Sequence, residues 1–142
     1  MIRSGIGVEY LQRFVDNANT EAKAKGYNLT YYQRDVNVDR LPVGNYDLVL
    51  NHAAAHHIAQ LDFVFQPILS LLSPTGWFVS VDYIGPHRNQ YPAPLWRKLE
   101  EINTQIPAAL RQRLAYPHVL TMLVTDATEA QHSEMIAEVI RR

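Results

Sequence analysis

The alternation of short apolar runs with longer amphipathic segments constrains this chain more than any other feature. Four short runs of apolar and aromatic residues predict strands. They are Ile2 to Val8, Leu29 to Tyr32, Asn45 to Leu50 and Trp77 to Val81. Strands that alternate with helical segments are typical of a parallel sheet with crossover helices. The predicted fold class is therefore α/β.

The first two helical segments differ in pattern. The first segment has apolar residues at the positions i, i+3, i+4, i+7 and i+11, which predicts a helix with one apolar face. These residues are Leu11, Phe14, Val15, Ala18 and Ala22. Gly26 is expected to end this helix. The stretch from Leu61 to Leu72 is apolar nearly all round, and Pro67 predicts a kink or an early break in it. A turn is expected next, over Ser73 to Gly76.

The second half of the chain predicts three further helices. One begins near Pro94, one at Pro107, and the last at Asp126, where Glu129 follows at the spacing of a capping box. His118 to Val124 is predicted to be a strand or a buried extended piece.

Composition excludes several classes of protein. The 142 residues are one domain's worth, and 13 basic against 14 acidic side chains argue against nucleic-acid binding through bulk positive charge. The absence of cysteine removes disulfides, thiolate nucleophiles and cysteine-ligated zinc. No apolar run approaches the roughly 20 residues of a spanning helix, and the N-terminus lacks the layout of a secretory signal. A single globular domain in the cytoplasm, binding neither nucleic acid nor membrane, is expected.

Polar side chains follow the predicted strands. They are Glu9, Asp35, Asn51 with His52, and Asp82 with Tyr83. Ligands of open α/β sheets lie beyond the carboxyl ends of the strands, where a carboxylate suits a ribose diol or an exocyclic amine. These residues therefore predict a site for a polyhydroxylated ligand that carries a base. The alternative is that Glu9 and Asp35 are ordinary solvated carboxylates.

The histidines after the third strand allow two interpretations. His52 and His56 stand four residues apart, with His57 adjacent, which is a spacing used by metal ligands on a helix. His52 sits at a strand end, however, and no glutamate lies between them, so no metal is expected. A pocket lining or a general base fits this group better. His87 and Arg88, in the loop after the fourth strand, are candidates for substrate binding or for an ordinary solvated loop.

Several of these segments together resemble a known family. NYDLVLNHAAAHHI, followed by an apolar helix and by LLSPTGWFVSVDYIGPHRNQY, is similar to the class I S-adenosylmethionine-dependent methyltransferases. Their fourth strand ends in a polar turn beside the cofactor, which implies that role for Asn51 and His52. Their next strand follows an L-x-P-x-G loop, here Leu72, Pro74 and Gly76.

The resemblance extends upstream and downstream of these segments. GVEYLQRFVDNAN is similar to the family's second strand and helix, whose acid binds the cofactor ribose, and this implies that role for Glu9. QRDVN resembles the motif that contacts adenine, which implies Asp35 with the backbone of Val36. TDATEAQHSEMI resembles a substrate-side insertion. The implied fold is a Rossmann-like, mostly parallel sheet with flanking helices, with a cofactor-side core over residues 1–83 and substrate-side loop and helices over 84–142.

Two parts of the family fold have no counterpart in the sequence. They are the glycine-rich first motif with its strand, and the last two strands, so the resemblance is to a truncated member of a seven-stranded fold. Strand one of the family stands between strands two and four, and unpaired buried backbone groups are costly. Either strands two and four pair directly here, or a second copy supplies a strand or covers the exposed faces. A homodimer or higher oligomer is expected.

The implied activity is methyl transfer from S-adenosylmethionine to a small-molecule acceptor. His56 and His57 are the first candidates for a base, because an unperturbed imidazole titrates near neutral pH. Tyr83, His87, Arg88 and Tyr91 are expected to bind and orient the acceptor. The alternatives are a non-catalytic module that binds a partner or its own copy, and a metal protein using His52, His56 and His57.

Overall fold

A computed structural model describes residues 3–142, which divide into two compact units. The first consists of the chain up to Leu50 together with Gln60–Val79, and the second of Asn51–Ala59 together with Ser80–Arg142. Ile2, the first residue of the predicted first strand, lies outside the described residues. Each unit is built around its own buried side chains and is described in turn.

Strands and helices alternate through the first half of the chain. The elements are β1 (Gly5–Glu9), α1 (Gln12–Ala24), β2 (Leu29–Gln33), β3 (Tyr46–His52), α2 (Leu61–Phe65), α3 (Ile68–Leu71) and β4 (Leu72–Val81). Short helices follow, α4 (Ala93–Gln105), α5 (Val119–Thr125) and α6 (Ile136–Arg141). The α/β class, the four strands and the helix from residue 12 are confirmed.

The strands form two separate two-stranded sheets, β1 with β2 and β3 with β4. β1 and β2 are parallel, with Gly5 opposite Leu29 and Glu9 opposite Gln33. β4 lies so close to β3 that a Cβ on Gly76 would come within 2.7 Å of the Tyr46 carbonyl oxygen. β1 and β3 correspond to strands two and four of the family fold. Among the described residues these two strands do not pair, so the direct pairing that the sequence analysis considered is not found.

Helix α1 is fixed against β2 by one side chain and ended by one glycine. The Asn19 amide donates to the Tyr31 carbonyl at 2.9 Å and accepts from the Tyr31 N–H at 2.8 Å, which occupies the outer edge of β2. Gly26 has φ of 66°, and it and Tyr27 donate to the carbonyls of Lys23 and Ala22. These are the two hydrogen bonds of a Schellman motif, which confirms Gly26 as the end of the helix.

The apolar stretch from Leu61 forms the densest part of the first unit. Pro67 separates α2 from α3, as predicted, because a proline cannot donate within a helix. Phe65 packs on Phe78 of β4 with ring centroids 5.8 Å apart. The buried side chains are Leu61, Val64, Phe65, Ile68 and Leu71.

The second unit packs short helices and turns around a small core. Trp96 of α4 lies 6.1 Å from the Tyr91 ring and 5.0 Å from the Tyr116 ring, centroid to centroid. The buried apolar residues are Ala55, Ile58, Met122, Ala130, Ile136 and Val139. The longest described helices, α1 and α4, have 13 residues each, and none of the described helices has the length and apolarity to cross a membrane.

Four predictions about local structure are wrong. His118 to Val124 is largely helical as α5, because short apolar runs do not distinguish a strand from a buried helix. The predicted helix at Pro107 is a single turn, Ala108–Leu110. The turn expected at Ser73 to Gly76 is part of β4. Asp126 begins a hydrogen-bonded turn instead of a helix, since its side chain accepts from the Thr128 N–H at 2.8 Å.

Candidate functional site

Asp82, the first residue after β4, is the centre of a polar cluster in the second unit. Its Oδ2 accepts hydrogen bonds from the Asn51 amide at 2.9 Å and from the N–H groups of Ala54 and Ala55 at 2.9 and 2.7 Å. Its Oδ1 accepts from the N–H of His56 at 3.2 Å and of Tyr83 at 2.9 Å. The Asp82 side chain is only 1% exposed. This carboxylate therefore holds the loop after β3 in one conformation.

The hydrogen bonds keep Asp82 ionised. Burial by itself raises the pKa of this carboxyl group. The bonds from His56, Asn51 and the N–H groups of Ala55 and Ala54 favour the charged form and outweigh burial, so the net pKa lies below the ordinary aspartate value. Asp82 is thus a negative charge at neutral pH.

His56 is oriented by that charge. Its Nδ1 lies 2.6 Å from Asp82 Oδ1, and an ionised carboxylate can only accept, so Nδ1 carries the proton. In the neutral ring this leaves a lone pair on Nε2, which lies 3.8 Å from Glu129 Oε2. The His56 side chain is 13% exposed. A histidine whose far nitrogen is fixed by an aspartate is arranged as a general base.

His57 has a similar arrangement with different partners. Its Nδ1 lies 3.0 Å from the Thr128 hydroxyl oxygen, and that hydroxyl donates to Asp126 at 2.6 Å. The Thr128 bond holds the pKa of the Asp126 carboxyl below its ordinary value. Because the threonine proton is directed at Asp126, the Thr128 oxygen accepts from His57 Nδ1–H. His57 Nε2 therefore also carries a lone pair, and it lies 3.8 Å from Glu129 Oε2.

The loop after Asp82 adds aromatic hydroxyls to the site. Tyr83 packs edge-on to His56 with ring centroids 6.5 Å apart, and its hydroxyl donates to that of Tyr91 at 3.0 Å. Burial is the largest cause that raises the pKa of Tyr83 above its ordinary value, and the Tyr91 bond acts in the same direction. Tyr83 is therefore a neutral hydroxyl group throughout the physiological pH range.

Arg88 and His87 contact the neighbouring loop. The Arg88 guanidinium donates to the carbonyls of Ala127 and Glu129, and its own N–H donates to the Ala130 carbonyl at 2.8 Å. These bonds fix the loop that carries Glu129. His87 is exposed, and its Nδ1 accepts from the His132 N–H at 3.4 Å.

The predicted cofactor residues of the first unit lie at the ends of β1 and β2. Glu9 Oε1 accepts from the Leu11 N–H at 2.9 Å, and Asp35 Oδ1 accepts from the Asn37 N–H at 3.0 Å. No hydrogen bond from the described residues engages the second oxygen of either carboxylate. Both acids and the adjacent Val36 are half-buried. The two acids thus fit hydroxyl and amine donors of a nucleoside.

The structure brings together some of the residues singled out from the sequence and adds others. Asn51, His56, His57, Tyr83 and Tyr91 belong to one hydrogen-bonded or ring-packed group. His52 is exposed and belongs to neither cluster of potential metal ligands in the described chain, so the metal set of His52, His56 and His57 is not found.

The structure gives two residues a role that the sequence does not predict. The sequence places Asp82 among the strand-end residues of a ligand site, but only the structure shows that it orients His56. Glu129 was interpreted as the acid of a capping box, and no local pattern connects it to His56, 73 positions earlier in the sequence.

Comparisons with known proteins identify the family and the fold of the chain. A family model described as a methyltransferase domain matches residues 4–137. No protein with a curated description matches the chain. Among solved structures, the YcgJ protein of Bacillus subtilis is 18% identical with a TM-score of 0.57, over 91% of this chain and 46% of its own.

Two further solved structures are similar. An S-adenosylmethionine-dependent methyltransferase of Mesorhizobium loti is 24% identical with a TM-score of 0.50, over 61% of this chain and 41% of its own. An O-methyltransferase of a Brevibacillus brevis polyketide synthase, in complex with S-adenosyl-L-homocysteine, is 15% identical with a TM-score of 0.54, over 95% of this chain and 54% of its own. The chain therefore spans about half the length of these structures or less. Since the family model covers nearly the whole sequence, the chain belongs to the family of methyltransferase domains.

Proposed function

We propose that this chain takes part in methyl transfer from S-adenosylmethionine to a small-molecule acceptor, with His56 as the base. The observation that carries the proposal is the bond between His56 Nδ1 and the buried Asp82. It fixes the tautomer that leaves Nε2 ready to accept a proton. S-adenosylmethionine, when bound, supplies the electrophilic methyl group.

The side chains of this protein then have two kinds of task. In the first unit, Glu9 and Asp35 bind the ribose hydroxyls and the adenine amine through their unengaged carboxylate oxygens, together with the backbone of Val36. Asn51 and His52 of the second unit are proposed as further cofactor residues. His56 accepts the proton of the acceptor at Nε2, and Asp82 stabilises the imidazolium that forms. Holding reactants in contact geometry can supply about 7–11 kcal/mol of the barrier, so orientation is the larger contribution.

Tyr83 and Tyr91 suit the acceptor side of this site. Tyr83 packs against His56, and its hydroxyl donates to that of Tyr91. The Tyr91 proton can then be donated to a protic acceptor, such as an alcohol or phenol, while that acceptor donates to the histidine. His57, His87 and Arg88 belong to the same side, His57 by direct contact with His56 and Arg88 through the loop that carries Glu129.

The test is titration calorimetry of the full chain with S-adenosylmethionine and S-adenosylhomocysteine. We expect binding, and we expect Glu9→Gln and Asp35→Asn to weaken it at least tenfold. Glu21→Gln is the matched control, because Glu21 is an exposed acid of α1 paired only with Lys25. An absence of heat from the unaltered chain, or equal affinity in all three variants, would contradict the proposal.

A specific observation favours a second candidate, a module that binds its own copy. β1 and β3 belong to different sheets, and the outer edge of β2 is already occupied by Asn19. β3 and β4 also expose Leu48, Leu50 and Trp77 at 50%, 59% and 72%. Unpaired edges and exposed apolar faces favour association, and a homodimer would cover them. Light scattering of the same samples tests this candidate, and a monomeric mass at every concentration would reject it.

A further inference from the structure

We propose that His56, His57 and Glu129 form a binding site for one divalent transition-metal ion of the zinc class. Nε2 of each histidine lies 3.8 Å from Oε2 of the glutamate, and one ligand atom from each of the three residues lies within 4.8 Å of the other two. Two imidazoles and one carboxylate are a ligand set that zinc accepts, with a further position left for water or substrate.

Both imidazoles carry a proton on Nδ1. His56 Nδ1–H is directed at Asp82, and His57 Nδ1–H at Thr128. With both rings neutral, both Nε2 atoms present lone pairs, and both lie 3.8 Å from the same glutamate oxygen. The other oxygen of that carboxylate accepts from the Asn89 amide at 3.5 Å. A cation bound among the two nitrogens and Glu129 Oε2 would take a lone pair from each.

The distances suit a metal after a small closure. Zinc bonds of about 2.0–2.2 Å in tetrahedral geometry place two ligand atoms about 3.4 Å apart. The observed 3.8 Å separations are slightly wider. The Glu129 side chain is 33% exposed, so a change in its torsion angles can shorten its two distances to the histidines.

The surroundings are also those of a metal site. Ligating histidines usually donate their other N–H to a carboxylate or another oxygen, which sets the ring orientation and raises its basicity. Asp82 does this for His56, and Thr128, bonded to Asp126, does it for His57. Arg88 donates to the backbone carbonyl of Glu129 at 3.1 Å, and the Asn89 amide donates to its carboxylate at 3.5 Å, so both the backbone and the side chain of Glu129 have partners outside the site.

The described residues contain a second cluster, His87, His132 and Glu134, but all three are exposed. Among the described residues, the side chains of this second cluster are held by one long hydrogen bond, from the His132 N–H to His87 Nδ1. The half-buried cluster is therefore the better site. Because a bound ion occupies the His56 lone pair, metal binding and proton acceptance by His56 exclude each other.

The experiment is calorimetric titration of the chelator-treated chain with zinc chloride, with cobalt(II) absorption as a second readout of coordination. We expect one ion per chain and a visible cobalt spectrum typical of four-coordinate geometry. His57→Ala and Glu129→Gln should each weaken zinc binding at least tenfold, and Thr128→Val should weaken it less. His118→Ala is the matched control, because His118 is exposed at the start of α5, outside both clusters.

Each other outcome overturns the proposal. Absence of zinc binding, or equal affinity in His57→Ala, Glu129→Gln and His118→Ala, would reject the site. Loss of binding in His132→Ala alone would assign the ion to the exposed cluster. An Nε2 proton on either histidine in the NMR spectrum of the metal-free chain at alkaline pH would show that the three acceptors are not arranged as inferred. Far-UV circular dichroism of each variant separates lost folding from lost ligands.

Discussion

Replacing Asp82 by asparagine tests the central claim about the site, that one buried carboxylate organises it. Asn51, Ala54 and Ala55 donate to one oxygen, and His56 and Tyr83 donate to the other. An amide can accept on one side only, so its NH₂ group must face donors whichever way it is turned. Donors on that side lose their partner in a position with 1% side-chain exposure.

The cost follows from that geometry. Removing one partner from a buried charged pair costs about 3–5 kcal/mol. A domain has a free energy of unfolding of about 5–15 kcal/mol. With a urea dependence of about 2 kcal/mol per molar, the unfolding midpoint should fall by about 2 M.

The assay is urea unfolding followed by Trp96 fluorescence in a Trp77→Phe background. Trp96 lies in the second unit against Tyr91 and Tyr116, so it reports on the part of the chain that contains Asp82. Glu101→Gln is the control, because Glu101 is an exposed acid of α4 in the same unit and its carboxylate is bonded only at the surface, to Lys98. We expect that control to shift stability by less than about 1 kcal/mol. Equal midpoints for the Asp82 and Glu101 variants would refute the assigned role.

The pH dependence provides an independent check. The pKa of Asp82 is lowered in the folded state, so its contribution to the free energy of unfolding is complete above the unfolded-state value of about 3.9. That contribution is lost as the pH falls through the lower folded-state value. Unfolding stability should therefore decrease on acidification below about pH 4 in the unaltered chain, and more weakly in Asp82→Asn.

Two substitutions of single residues test other parts of the chain. His56→Ala should lower the rate of methyl transfer to phenol and alcohol acceptors about 10²–10⁴-fold. The same variant should keep its calorimetric affinity for S-adenosylhomocysteine within twofold, and unchanged turnover would remove His56 from the mechanism. Gly26→Ala should lower the free energy of unfolding by about 1–2 kcal/mol. A φ of 66° is strained for any residue with a Cβ, although no atom within 4 Å obstructs a Cβ at this position. An unchanged thermal midpoint would show that the helix end tolerates the left-handed strain.

Elements that have a local cause can be predicted from the amino-acid sequence alone. Helix α1 follows from an apolar face at helical spacing and ends at a glycine that adopts positive φ. Pro67 divides α2 from α3 because it lacks an N–H group. The α/β class and the strand-end positions of Asp35 and Asn51 depend on the same short-range patterns, and the family resemblance rests on the order of those patterns.

Features that depend on residues distant in the chain require the folded structure. The pattern over His118 to Val124 predicts a strand or an extended piece, but the segment forms α5, because an apolar run such as Val119–Thr125 suits both conformations until its packing is known. The site itself joins His56 to Asp82, 26 positions later, and to Glu129, 73 positions later. The protons on the two imidazoles are fixed by Asp82 and Thr128, whose approach is a consequence of folding. The sequence indicates which residue types are present, but only the folded structure shows which of them contact one another and which nitrogen of each imidazole carries the proton.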